Sequence, residues 1–85
     1  MYNINNPNFT GHTDFATDED QTKIYGGKIY YKDLFIKLVP YVFKTKSAAE
    51  KRVEELVNIS NVVIESDTEV WIKFDDGRTY KYLKI

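Results

Sequence analysis

The chain has no cysteine. Disulfides and thiolate metal sites are therefore excluded, and a reducing compartment suits it. Histidine is almost as scarce, with His12 the single example. Without a Cys–His pair, and with no serine in a nucleophile motif, the groups that acid–base and covalent catalysis use are thin. Arginine is rare too, two against ten lysines, and arginine is the usual base-reading and stacking cation. Gly26-Gly27 matches neither the phosphate loop nor the dinucleotide fingerprint. No apolar run approaches the roughly 18 residues of a membrane span. The longest, Leu34-Phe35-Ile36 and Leu38-Val39, is broken by Lys37. The start, Met1-Tyr2-Asn3-Ile4-Asn5, carries no basic or apolar leader. The expectation is a cytoplasmic protein without cofactor, metal or membrane contact.

What is present is sorted charge. Residues 1–22 hold Asp14, Asp18, Glu19 and Asp20 and no base; residues 23–52 hold seven Lys and Arg52 against Asp33 and Glu50; residues 53–85 hold seven acids and four bases. The blocks carry −4, +6 and −3 within a net charge of −1. One-sign patches raise encounter rates and fix the orientation of a partner. The abundance of Lys, with eight Ile, seven Tyr and six Asn, fits A/T-rich coding, as in a low-GC bacterium or its phages.

Residues 1–22 read as an acidic, flexible arm before a single domain over 23–85. Asn3, Asn5, Asn6, Pro7, Asn8, Thr10 and Gly11 are turn formers and breakers, and acids follow. Tyr2, Ile4, Phe9 and Phe15 are apolar exceptions that would dock the arm as a loose strand. From Lys23 the pattern turns to β. Gly26-Gly27 between Lys23-Ile24-Tyr25 and Lys28-Ile29-Tyr30-Tyr31 predicts a two-residue hairpin. A strand follows over about Ile36 to Phe43, with Pro40 at an edge or bulge. The alternative is a short helix over 33–39 capped by Asp33.

Ser47-Ala48-Ala49-Glu50 reads as a capping box opening a helix that ends near Asn58. Its apolar stripe is Ala49, Val53, Leu56 and Val57. Three strands close the chain, at Val62–Glu65, Val70–Phe74 and Thr79–Leu83. In the Asp75-Asp76-Gly77-Arg78 turn, Gly77 in the left-handed region sets Ile72 opposite Tyr80 and Val70 opposite Tyr82. A turn shorter by one residue would bring the Lys81 ammonium to the apolar face, at high cost. The fold class is thus α+β, an antiparallel sheet in the order β-β-β-α-β-β-β with one helix on its apolar face. A core this small gains from oligomerisation, which is open to the chain.

The segment Phe43-Lys44-Thr45-Lys46-Ser47-Ala48-Ala49-Glu50 resembles the strand-to-helix junction of the arm-binding domain of tyrosine-type integrases, which places a sheet against DNA. The likeness spans eight residues. Three strands after the helix depart from that fold, so its function is not carried over.

Two readings of function follow. In the first the chain is a non-enzymatic binding protein, similar in type to phage-encoded inhibitors of host defence such as anti-CRISPR proteins. It would occlude a surface of a protein partner, one that itself binds nucleic acid. Trp71 is the leading contact, because the register turns it outward with Lys73, Thr79 and Lys81; the bland account is that Phe9 or Phe15 of the arm covers it. Asp14, Asp18, Glu19 and Asp20 would mimic phosphates or be a solvated run; their spacing is not that of an EF-hand. In the second reading, Lys28, Lys32, Lys37, Lys44, Lys46, Lys51 and Arg52, interleaved with Tyr30 and other aromatics, bind nucleic acid directly. Lysines of this kind also protect sheet edges. A small hydrolase, the third class, would need a paired-carboxylate site.

Overall fold

The computed structural model describes residues 3–84. Tyr2, grouped above with the apolar residues of the arm, lies outside them. The elements are β1 (Phe9–Thr17), β2 (Lys23–Tyr31), β3 (Leu34–Leu38), α1 (Lys46–Asn58), β4 (Asn61–Glu65), β5 (Glu69–Lys73) and β6 (Thr79–Leu83). The order and class are those expected. The six strands are divided into two antiparallel sheets, β1-β2-β3 and β4-β5-β6.

Residues 9–17 are a full strand of the first sheet, paired with β2 from Phe9↔Tyr31 to Thr17↔Lys23. The turn between them is built by an acid. The Asp18 carboxylate accepts from the amides of Asp20 (3.0 Å) and Thr22 (2.9 Å), and Gln21 takes a left-handed φ of 65°. One side chain thus replaces the turn glycine. Phe9 sits in the core edge-on to Tyr31, 4.9 Å between centroids.

Gly26-Gly27 is not a hairpin. Both residues lie inside β2, opposite Asp14 and Thr13, and neither has a positive φ. Gly27 is required by packing. A Cβ there would stand 2.5 Å from Val53 Cγ2 and 2.9 Å from Val39 Cγ2. The real β2–β3 turn is Lys32-Asp33, with φ of 47° and 67° between paired Tyr31 and Leu34. It is a two-residue turn of the primed kind made without glycine, so composition does not announce it. β3 then ends at Leu38, before Pro40, and Phe43 returns only as an isolated bridge to Tyr25. The strand expected over about Ile36 to Phe43 thus forms only as far as Leu38, starting earlier at Leu34, and the helix over 33–39 does not form.

The helix begins two residues earlier than the capping box implied. Thr45 is the N-cap, and its hydroxyl accepts from the Ala48 amide at 3.2 Å. The third helical position is thus Ala48, not Glu50. The stripe Ala49, Val53, Leu56 and Val57 is buried as read. A fully buried aliphatic side chain contributes about 1.5–3 kcal/mol relative to exposure. The helix lies on β1 and β2. Its Val53, Leu56 and Val57 share one core with Ile29, Tyr31, Ile36 and Val39 on one side and Val70, Ile72 and Phe74 on the other. The N-terminal segment is tied to the helix by Asn3 N–H to Glu54 (2.9 Å) and Asn5 N–H to Asn58 (2.8 Å), and Ile4 packs on the core.

The last hairpin follows the expected register, Ile72↔Tyr80 and Val70↔Tyr82. Gly77 has φ 78° and donates to the Phe74 carbonyl at 3.1 Å, and Phe74 donates to Arg78 at 3.1 Å.

Candidate binding surfaces

Alternation along β5 sends Val70 and Ile72 into the core and Trp71 to the far face. The pairings Ile64↔Trp71 and Trp71↔Lys81 make a row across the second sheet, with Lys73↔Thr79 and Glu69↔Leu83 beside it. The Lys81 ammonium stands 5.7 Å from the Trp71 ring centroid, and the indole N–H donates to Glu69 at 3.2 Å. Phe9 and Phe15 do not cover it. Phe9 is in the core, and Phe15 stacks near Tyr25 and Lys23 on the first sheet. Ile64, Val63 and Leu83 are 53, 55 and 56% exposed. The bulge in β4 between Val62 and Ile64 leaves Val63 unpaired and turns Ile64 to the Trp71 side. Sequence patterning placed Trp71, Lys73 and Lys81 on this face. It could not place Ile64 there, because a bulge changes the alternation without a glycine to mark it.

The acidic residues are used locally. Asp18 builds the β1–β2 turn, with Glu19 and Asp20 exposed within it. Asp14 pairs with His12 (2.9 Å) and Lys28 (3.6 Å) on the outer face of β1 and β2. Among the described residues, no group of three or more His, Asp or Glu is arranged to hold a metal ion.

The basic residues of the middle block do not line up. Lys28 is on the outer face of the first sheet with Asp14. Lys32 reaches Glu65 at 2.7 Å, and Arg52 reaches Glu55 (3.3 Å) and Asp75 (4.0 Å). The Lys37 ammonium lies 4.7 Å from the Phe74 centroid. Tyr30 meets Phe35 edge-on, 5.6 Å apart. Lys44, Lys46 and Lys51, at the start of the helix, make no ion pair with described residues.

Glu65 is the electrostatic link between the sheets, and nothing in the sequence pattern marks it. It accepts from the Tyr31 hydroxyl (2.7 Å), Lys32 (2.7 Å) and Lys84 (2.8 Å). The hydrogen bonds from Lys32, Lys84 and Tyr31 hold its carboxyl at about 2, below the usual 4.5. Burial first, then the Glu65 carboxylate, pushes the Tyr31 phenol up to about 12. In the β5–β6 turn, the Arg78 amide and the Tyr80 hydroxyl lower the Asp76 carboxyl, and Asp76 raises Tyr80 in return. These are structural contacts within turns and between sheets.

No family model matches the chain, and no curated protein or solved structure is significantly similar to it. Among the described residues, no helix is long and apolar enough to cross a membrane.

Proposed function

We propose that the chain is a non-enzymatic binding domain whose outer second-sheet face meets a protein partner. The observation that supports this is the row Ile64, Trp71 and Lys81 with Leu83 beside it, on the side away from the core. An aromatic anchor among exposed aliphatics and rimmed by charge is the composition of a binding hot spot. Lys73 and Lys81 would meet acids of the partner, and the indole an apolar pocket. In its narrower form the reading is a phage-encoded inhibitor of host defence that occludes a surface of a nucleic-acid-binding host protein. Small size, A/T-rich composition and the exposed acidic turn at Asp18, Glu19 and Asp20 favour that form.

Direct nucleic-acid binding is the second reading, favoured by Lys44, Lys46 and Lys51, the lysines of the middle block with neither an ion pair nor an aromatic ring beneath them among the described residues. It is weakened because the other cations of that block are paired or scattered over different faces.

Trp71 is the sole tryptophan, so its emission reports on this face alone. The test is capture from a bacterial host lysate with wild type and Trp71→Ala side by side, followed by emission spectra with the purified captured protein. Capture lost in the variant, with a blue shift of Trp71 on binding, supports the proposal. Equal capture by both chains refutes it. Binding to labelled single- or double-stranded DNA with a steep negative salt slope would favour the second reading instead.

A further inference from the structure

Sheet edges invite stray pairing unless they are short, kinked by a bulge, or guarded by lysine or proline. Three of the four edges are managed in this way. β3 is five residues long, contains Lys37, and its pairing with β2 is interrupted by a bulge; β4 is five residues with a bulge; β6 is five residues with Lys81 at its centre. The fourth edge, β1, is nine residues long and regularly paired, with neither lysine nor proline.

The hydrogen-bond phase of β1 is fixed at both ends. Lys32 N–H donates to Asn8 O (2.9 Å), and Asp18 N–H donates to Thr22 O (3.0 Å). Even-numbered residues between them therefore turn their backbone groups to β2. Odd-numbered ones turn theirs to the open edge. Phe9 N–H is taken by Asn6 O at 3.1 Å, which leaves Gly11, Thr13, Phe15 and Thr17 as the open run.

We infer that β1 pairs antiparallel with β1 of a second copy about a two-fold axis at Thr13, joining two three-stranded sheets into one of six. Cross-strand side-chain complementarity selects this occupant and this register. With Thr13 opposite Thr13, His12 of each copy faces Asp14 of the other, on the face where they already meet within one chain at 2.9 Å. The same register sets Phe15, 60% exposed, opposite Gly11, where no side chain competes for the space. A slip in one direction puts Asp14 opposite Asp14. A slip in the other puts His12 opposite His12 and leaves Asp14 against Thr10. Asp14 opposite Asp14 is a like-charge pair and is destabilising, and His12 opposite His12 gives up both imidazole–carboxylate contacts, so the centred register is preferred. The contact is isologous and closes at two copies.

The test is sedimentation of the whole chain over a concentration series, with circular dichroism to check the fold. The expected species is a dimer of twice the 10.0 kDa chain mass. Thr13→Pro removes an edge donor and no β1–β2 hydrogen bond, because that N–H points away from β2. It should raise the dimer dissociation constant by roughly tenfold or more, while Thr13→Val, which keeps the donor, should not. His12→Asp, which faces Asp14 of the other copy, should weaken the dimer, and His12→Asp with Asp14→Lys should restore it. The charge variants leave the backbone intact and decide the matter if the proline variant does not fold. A monomer at every concentration, a dimer indifferent to the proline in a folded variant, or a double variant that fails to restore pairing would each overturn the inference.

Discussion

Gly27→Ala separates packing from turn geometry as the reason for a glycine pair in β2. An added methyl at Gly27 meets Val53 Cγ2 at 2.5 Å, Val39 Cγ2 at 2.9 Å and Val39 Cβ at 3.3 Å. Val53 is on the buried stripe of the helix and fully buried, so relief requires the helix to move off β2 or Val53 to leave its rotamer. Overpacking of this kind costs about 1–3 kcal/mol. The neighbouring Gly26 is the internal control, because a Cβ there meets nothing within 4 Å. Gly26→Ala should be neutral or stabilising by about 0.4–1 kcal/mol, through the unfolded chain's lost freedom. Thermal unfolding reads both, since about 1 kcal/mol moves the midpoint of a domain this size by roughly 4–8 °C. The decisive step is Gly27→Ala combined with Val53→Ala. Val53→Ala alone opens a cavity, and the Gly27 methyl then finds room in it. The pair should therefore cost clearly less than the sum of the two single changes, with a coupling of about 1 kcal/mol or more. In a hairpin turn, both glycines would sit at positive φ and both alanines would destabilise, with no rescue from the helix. Equal losses at Gly26 and Gly27, or additivity with Val53→Ala, would refute the packing account.

Thr45→Ala should cost about 1 kcal/mol in chemical denaturation, and Ser47→Ala far less, because Thr45 is the residue that caps the helix. Asp33→Gly should stabilise by a few tenths of a kcal/mol, roughly, since the φ of 67° in the β2–β3 turn suits glycine. Glu65 has its folded carboxyl at about 2 against 4.5 unfolded, so its contribution is present above the unfolded value and fades as pH falls toward 2. Urea midpoints of Glu65→Gln should therefore lose less on acidification than those of wild type. Tyr31 is shifted the other way, from 10.0 to about 12. Its contribution is complete below pH 10 and fades as pH rises through 12, so Tyr31→Phe should flatten the alkaline fall, measured in the same titration.

Where patterning was read against a cost, the sequence was legible. The β5–β6 register follows from the expense of burying the Lys81 ammonium, and Gly77 at φ 78° supplies the turn that avoids it. The helix stripe Ala49, Val53, Leu56 and Val57 is legible for the same reason, since no other spacing buries four apolar residues together. Composition failed where one residue type serves two purposes. Glycine in β2 makes room for Val53 and Val39, whereas the tight turns beside it are made by Asp18 and by Lys32-Asp33. The acidic, asparagine-rich start reads as an arm, yet Phe9 supplies a core ring and even-numbered residues through Asp18 supply hydrogen bonds to β2. At the surface, Trp71 was legible from strand alternation alone. Glu65 was not, because its donors lie 34, 33 and 19 residues away in the chain.

The charge blocks change meaning once folded. Along the chain, +6 between −4 and −3 looks like a patch meant for a partner. In the fold the middle block lies against both acidic ones: Lys28 on Asp14, Lys32 on Glu65, Arg52 on Asp75. Part of the segregation is thus explained by contacts within one chain, and exposed pairs of this sort contribute little each, about 0–1 kcal/mol. The positive potential of the middle block is correspondingly reduced, and Lys44, Lys46 and Lys51 near the helix start are the part without an ion pair among the described residues. That is why the proposed function rests on the outer row around Trp71 rather than on a basic stripe. Its indole, Ile64 and Leu83 face away from the core, and covering them is the gain that a partner can offer and the fold does not supply.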